Sequence, residues 1–166
     1  ISSMAPLIEE QLIDEVVGFA TNTLTIAVPP GNPGNVRTLA DLSNVGVVVC
    51  QEQVPCGVAT SELLRINSLV ISPVSLEPDV RSVLTKIETD EADAGIVYVT
   101  DVAGSSGAVV GVEIPASANV STTYQAGVTT EAAAADAAAT FVAFLQKDRA
   151  QQLLADAGFT PVRVAP

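Results

Sequence analysis

The sequence predicts an α/β protein, in which strands and helices alternate along the chain. Short apolar runs typical of strands are separated by longer stretches whose apolar residues recur at helical spacing. Prolines precede some of the helical stretches and a glycine follows the last one, as is usual at helix boundaries. With 48% hydrophobic and 16% charged residues among 166, the composition is that of a globular chain, long enough for one core or two small lobes.

The first part of the chain predicts two helices with a strand between them. Residues 4–17 place apolar side chains on one helical face and acidic ones on the other. Residues 23–28 alternate as a strand does and run into 29–34, a turn segment rich in proline and glycine. A short helix is then expected over 38–42, with Thr38 as its N-cap.

The middle of the chain predicts a strand, turn and helix pattern that occurs twice. The apolar run 45–50 is typical of a strand buried on both faces, and a helix over 57–66 follows Pro55. An extended segment near 69–74 and a helix near 79–88 repeat that order. Units of this kind predict a mainly parallel sheet.

The last part of the chain predicts more extended segments and two helices. The extended segments are expected at 94–99, 109–114 and 122–128, and the helices at 131–146 and 148–157. The alanines of the first of these helices favour it strongly, and Gly158 suits the C-cap of the second. Asp101 is expected to cap a short turn after the strand that ends near residue 99.

The charge pattern argues against a nucleic-acid partner. The net charge is −12, and the 7 basic residues are scattered rather than clustered into the stripe that a phosphate backbone requires. An anionic small molecule stays compatible with this acidity, because N–H and O–H donors at helix N-termini hold oxyanions without a cation. We therefore expect no binding to nucleic acid.

The absence of histidine excludes most hydrolase mechanisms. It removes Ser-His-Asp and Cys-His catalysis as well as imidazole zinc sites. The 19 acidic residues fall into no recognisable catalytic motif. We therefore predict a protein that is not an enzyme, holds no bare metal ion and carries no cofactor. Since no apolar stretch of about 18 residues is present, we also expect no membrane span.

Cys50 and Cys56 are the two cysteines of the chain, and their spacing matches neither a redox CxxC motif nor a zinc site. A disulfide is one interpretation, and two buried free thiols are the other. A disulfide would close a small loop, contribute about 2 kcal/mol and indicate an oxidising compartment.

Three positions lie where open α/β sheets bind their ligands, at the carboxyl ends of strands where helices begin. They are the turn at Cys56-Gly57, the turn at Asp79-Val80 and Tyr98 at the end of its strand. Each also has a purely structural interpretation. Cys56 could serve only a disulfide, Val80 could be an apolar residue of a helical first turn, and Tyr98 could be a core aromatic.

Several segments taken together resemble the periplasmic molybdate-binding proteins of ABC importers. They are residues 19–24, 30–33, 39–42, 54–57, 79–81, 91–98 and 157–159, in matching order and spacing. The pair Cys50 and Cys56 further resembles actinobacterial members. The resemblance implies a type II periplasmic-binding-protein fold of two lobes with a hinge. Residues 23–122 would form a complete lobe, with 1–22 and 123–166 as the remainder of an incomplete N-terminal lobe.

The resemblance also implies how a ligand is held. In that family backbone N–H groups and hydroxyls surround an oxyanion in the cleft between the lobes. Carried over, this implies the backbone N–H of Cys56, the backbone N–H of Val80 and the hydroxyl of Tyr98 as donors. Serine donors of the opposite lobe have no match before Ile1, so we expect this chain to lack that N-terminal portion of the family pattern.

The function implied by the resemblance is capture of a tetrahedral oxyanion, molybdate or tungstate, outside the cytoplasm. Its partners would be the membrane subunits of an ABC importer, and the receptor would be a monomer. A lipid anchor before Ile1 stays open. The alternative is the effector-binding domain of a transcription regulator with the same fold.

Overall fold

The structure, a computed structural model, describes residues 4–162, and its most deeply buried strands are the apolar segments Val47–Cys50 and Ala94–Tyr98. The strands are β1 (Ile13–Val28), β2 (Val47–Cys50), β3 (Ser75–Glu77), β4 (Ala94–Tyr98), β5 (Val110–Val112), β6 (Ser121–Thr129) and β7 (Thr160–Pro161). The α-helices are α1 (Ala5–Glu9), α2 (Pro55–Ile66), α3 (Val80–Glu88), α4 (Val99–Gly104), α5 (Ala135–Leu145) and α6 (Asp148–Asp156). Short 3-10 helices lie at Leu39–Asn44 and Ala116–Ala118. Within residues 4–162 no helix is long and apolar enough to cross a membrane.

The chain divides into two compact units. The central unit comprises Thr23–Thr122, and the terminal unit comprises the described residues before Thr23 and after Thr122. The chain passes between the units within β1 and again within β6.

The sheet of the central unit is mixed rather than mainly parallel. Its strand order is β3-β2-β4-β1-β5, in which β2 is parallel to β3 and β4 while β1 is antiparallel to β4 and β5. Parallel pairing needs a long crossover, and α2 and α3 supply one between β2 and β3 and one between β3 and β4. Only β3, β2 and β4 are parallel to one another, and β1 pairs with both of its neighbours in this order antiparallel. The prediction of a mainly parallel sheet is therefore wrong.

The core of the central unit lies on both faces of its middle strands. Every residue of β2 and β4 is buried, as expected for strands covered on both sides. Helix α3 packs on β4 through Val83 and Ile87, and Gly95 makes this close approach possible. A Cβ at Gly95 would lie 2.7 Å from Val83 Cγ1 and 2.8 Å from Ile87 Cδ1. The position of α3 over the sheet is therefore closely defined.

The terminal unit is held together by strand pairing and aromatic contacts. Thr21 of β1 pairs with Thr160 of β7, and the Tyr124 ring lies edge-on between Phe19 at 6.3 Å and Phe159 at 5.3 Å. Gly158 has φ 92° and ends α6 in a Schellman motif, in which Phe159 N–H donates to Leu154 O at 3.0 Å.

One predicted helix is largely wrong. Residues 4–17 form only the short α1, and Ile13 onward belongs to β1. Gln11 ends α1 in a left-handed conformation with φ 56°, and its N–H donates to Ile8 O. Sheet pairing of the β-branched residues after Leu12 therefore prevails over helical spacing.

A second difference concerns the segment predicted as extended at 69–74. Its strand, β3, lies just after it at Ser75–Glu77. Val74 N–H already donates to Val47 O at 2.8 Å, so the pairing begins at the end of the predicted segment. Apolar composition did not locate the strand, because β3 is a short edge strand whose one apolar residue, Leu76, is exposed.

Candidate functional site

The carboxyl ends of three parallel strands meet at one edge of the central unit. Cys50 at the end of β2 pairs with Glu77 at the end of β3, and Val48 pairs with Gly95 in β4. Helices α2, α3 and α4 follow these three strands in turn. The structure therefore brings three helix starts to the same edge, the location where open α/β sheets bind ligands. We call it the carboxyl edge.

Each of the three predicted site residues lies at one of these helix starts. Cys56 is the second residue of α2, Val80 is the first residue of α3, and Tyr98 directly precedes α4. N–H groups in the first turn of a helix have no carbonyl within the helix to reach. The Cys56 and Val80 N–H groups thus belong to the set that a helix end offers to an anion.

The start of α2 is tied to the end of β2. Cys50 and Cys56 form a disulfide, which confirms that interpretation over two free thiols. The Cys56 carbonyl accepts the buried Thr60 hydroxyl at 2.8 Å. Pro55 occupies the first helical position, where its missing N–H costs nothing.

The start of α3 is capped by Asp79. Its carboxylate accepts the Ser82 N–H at 2.8 Å. This hydrogen bond holds the pKa of the Asp79 carboxyl below its ordinary value. Although Asp79 is acidic and next to Val80, part of its negative charge is compensated by a backbone donor.

Tyr98 is the last residue of β4 and is 8% exposed. Its backbone N–H donates to Asp101 Oδ2 at 2.9 Å, so Asp101 caps α4 as its sequence position predicted. Burial raises the pKa of the Asp101 carboxyl, and the hydrogen bond from Tyr98 acts in the opposite direction. The turn from strand to helix at Tyr98 is therefore well defined.

Two cavities lie in the central unit near this edge. One of about 510 Å³ lies between α3 and α4, and Val80, Arg81 and Asp101 contribute to its lining. The other, of about 560 Å³, is mainly apolar and lies between β1, α4 and the segment after β5. Cys56 and Tyr98 line neither of these two cavities.

Gly57 was expected at the site as part of the turn at Cys56-Gly57, but the contacts by which Gly57, Thr60 and Gly95 support the donors were not predicted. Gly57 sits so close to the Gln51 carbonyl that a Cβ there would lie 1.8 Å from its oxygen. The Thr60 hydroxyl donates to the Cys56 carbonyl at the start of α2, and Gly95 of β4 lets α3 pack closely on the sheet. The only signal in the sequence was the glycine after Cys56, and its meaning depends on a backbone contact that no local pattern encodes.

Sequence comparison relates the chain to one family. The family described as bacterial extracellular solute-binding protein matches residues 2–160. The molybdate-binding protein ModA of Mycobacterium tuberculosis (strain H37Rv) is 39% identical over 143 residues, covering 85% of this chain and 55% of that protein. The chain thus spans about half the length of the curated relatives it matches.

Solved structures agree with this relationship. A substrate-binding domain assigned to a molybdenum ABC transporter from Clostridium difficile superposes with a TM-score of 0.75 at 26% identity, covering 96% of this chain and 73% of that one. The sulfate-binding protein SubI of Mycobacterium tuberculosis gives a TM-score of 0.77 at 24% identity, with coverages of 96% and 65%. The latter similarity concerns the fold alone. The predicted α/β class and type II periplasmic-binding-protein fold are confirmed.

Proposed function

Because the chain belongs to the bacterial extracellular solute-binding proteins, we propose that it captures a tetrahedral oxyanion outside the cytoplasm. Molybdate or tungstate is the proposed ligand, since the relative with 39% identity is a molybdate-binding protein. The anion would pass to the membrane subunits of an ABC importer. No bond of the ligand is made or broken, so the protein is not an enzyme and needs no cofactor.

The observation that carries this proposal is the convergence of helix starts at the carboxyl edge. The backbone N–H groups of Cys56 and Val80 and the hydroxyl of Tyr98 are the proposed donors to the oxyanion. All three are neutral, which suits a chain with a net charge of −12. Two of them act through the main chain, so they do not depend on the side chain at their position.

The nearby carboxylates are compatible with an anion at this edge. Asp79 and Asp101 each accept a backbone N–H, from Ser82 and Tyr98 respectively. Glu77 accepts the Ser75 hydroxyl at 2.6 Å. Local donors thus partly compensate the negative charge of these carboxylates, which reduces their repulsion of an anion at the proposed site.

We propose that the central unit, residues 23–122, is one complete lobe and that 1–22 with 123–166 belong to the other. The two chain passages within β1 and β6 would be the hinge, and closure over the ligand would create the form that the transporter recognises. We propose that the three donors of the carboxyl edge are only part of the ligand shell, because the family resemblance implies serine donors from the opposite lobe. Each lacking hydrogen bond to the charged ligand should weaken the binding free energy by about 1.5–3 kcal/mol.

A thermal-shift series tests the ligand class. The chain is heated with molybdate, tungstate, sulfate or phosphate at increasing concentration, because a ligand that binds the native state raises the midpoint by mass action. We expect molybdate and tungstate to raise the midpoint more than phosphate does. If no oxyanion raises it at any concentration up to tens of millimolar, the proposed ligand class is wrong.

The alternative function, an effector-binding domain of a cytosolic transcription regulator, is not favoured. The matching family is one of extracellular proteins, and the disulfide fits an oxidising compartment. Mass measurement with and without reductant checks the latter point. The chain without reductant should be lighter by two hydrogen atoms than the reduced chain, and equal masses would point to the cytosol.

A further inference from the structure

The first turn of α2 is held to the end of β2 more closely than the chain connection requires. A disulfide joins Cys50 to Cys56, although these residues are already linked by a short turn in which Val54 N–H donates to Gln51 O at 3.2 Å. The disulfide is buried, with Cys50 2% and Cys56 5% exposed. Buried sulfur atoms indicate a permanent tie rather than a reactive pair.

Gly57 adds a second constraint on the same turn. An alanine Cβ at this position would lie 1.8 Å from Gln51 O, 2.5 Å from Gln51 C and 3.0 Å from Glu52 Cα. The neighbours are backbone atoms, so no side chain can rotate away to make room. The missing Cβ therefore lets α2 begin directly against the backbone of the turn.

The proposed donor at Val80 is positioned differently. Helix α3 is held by packing of Val83 and Ile87 over Gly95 and by the Asp79 cap, with no covalent tie among these residues. A change at the α2 start should therefore alter the Cys56 N–H and leave the Val80 N–H in place. This difference provides an internal reference.

We propose that Cys50 and Gly57 are positioning residues, which hold the Cys56 N–H in the direction needed to bind the oxyanion. This inference rests on the proposed oxyanion site. Hydrogen bonds weaken steeply as the angle at the donor falls, so a small rotation of the first turn costs affinity without unfolding the unit. The disulfide thus acts on ligand binding as well as on stability.

Nuclear magnetic resonance of the ¹⁵N-labelled chain tests the proposal with molybdate as the probe. In the unmodified chain the amide signals of residues 56 and 80 should both shift along one binding curve. In the double variant Cys50→Ser with Cys56→Ser, the limiting shift at residue 56 should fall by at least about half and the Kd should rise about tenfold, as expected for a weakened hydrogen bond to a charged group. The shift at residue 80 should persist at saturation.

Gly57→Ala keeps the disulfide and should give the same selective loss at residue 56. Gly104→Ala is the matched control, because a Cβ there would meet no atom within 4 Å. Leu42→Ala is the stability control, since it removes buried side-chain volume from the central core and lies in the 3-10 helix Leu39–Asn44, outside β2, the turn and α2. Both controls should keep the Kd of the unmodified chain while they remain folded.

Two results would overturn the positioning role. One is an unchanged Kd and an unchanged residue 56 shift in both the double serine variant and Gly57→Ala. The other is an equal loss of affinity in Leu42→Ala, which would assign the effect to stability alone. If neither residue 56 nor residue 80 responds to molybdate in the unmodified chain, the oxyanion site itself is wrong, and the positioning role with it.

Discussion

The central and terminal units differ in how completely they bury their apolar residues. In the central unit the middle strands are buried on both faces, and Leu63, Ile96 and their neighbours are fully buried. In the terminal unit none of the residues of α5, all of which the structure describes, is buried, and Phe141 and Phe144 are 60% and 41% exposed. The central unit thus carries a core of its own, whereas the helices of the terminal unit present apolar side chains to solvent.

The largest expected effect on stability comes from truncating one large apolar side chain in each unit. Leu63→Ala should reduce the free energy of unfolding by about 2–5 kcal/mol, because it leaves a cavity in a packed core. Phe141→Ala should change it by less than about 1 kcal/mol, because this side chain is mostly exposed. Urea unfolding followed by circular dichroism measures both. Equal decreases of the free energy of unfolding in the two variants would show that the two units do not differ in packing.

A pair of glycines tests which unit tolerates added volume. A Cβ would lie 1.8 Å from Gln51 O at Gly57 and 2.5 Å from Glu15 O at Gly127. Gly57→Ala should lower the free energy of unfolding by about 1–3 kcal/mol, because the added Cβ meets backbone atoms of Gln51 and Glu52, which no side-chain rotation can move away. Gly127→Ala should cost less, since the terminal unit has less packing to resist a shift. A larger loss for Gly127→Ala in the same urea experiment would contradict this ranking.

Removing the disulfide should lower the free energy of unfolding of the central unit by about 2 kcal/mol, because the unfolded chain gains conformational entropy. The measurement is the urea midpoint of the double variant Cys50→Ser with Cys56→Ser against the oxidised chain. Reductant should lower the midpoint of the unmodified chain and leave that of the variant unchanged. If reductant also lowers the urea midpoint of the variant, the reductant does not act through this disulfide.

The smallest effect is a pH dependence at the α3 cap. The pKa of Asp79 is lowered in the folded state by the Ser82 N–H, so its stabilising contribution is present above the ordinary aspartate pKa. It is lost as pH falls through the lowered folded value. Asp79→Ala should therefore be less stable than the unmodified chain near pH 7, and the gap should narrow as the pH approaches about 2.5. Thermal midpoints across this range test it, and a constant gap would exclude a charge effect.

Much of the central unit could be predicted from sequence because its elements are local and strongly patterned. The apolar run ending at Cys50 and the helices after Pro55 and Asp79 are bounded by residues that start or stop structure wherever they occur. The same boundaries indicated the helix starts at Cys56, Val80 and Tyr98. Their assignment as ligand donors came from family resemblance and stays a proposal.

What could not be predicted depends on contacts distant in sequence. Residues after Leu12 have helical spacing, yet they belong to β1 and pair with strands more than a hundred residues later, as Thr21 does with Thr160. The antiparallel placement of β1 beside β4 likewise follows from topology rather than from local pattern. Gly57 is similar, because only the backbone of Gln51 explains why no side chain fits there.

We propose above all that this chain carries part of an oxyanion site. Calorimetric titration of molybdate into the chain, beside the same titration of the mycobacterial relative, tests it most directly. If the serine donors of the opposite lobe contribute about 3 kcal/mol or more together, the affinity of this chain should be at least about 100-fold weaker than that of the relative, while molybdate still binds more tightly than phosphate. Affinity equal to that of the relative, or no preference for molybdate over phosphate, would contradict the account.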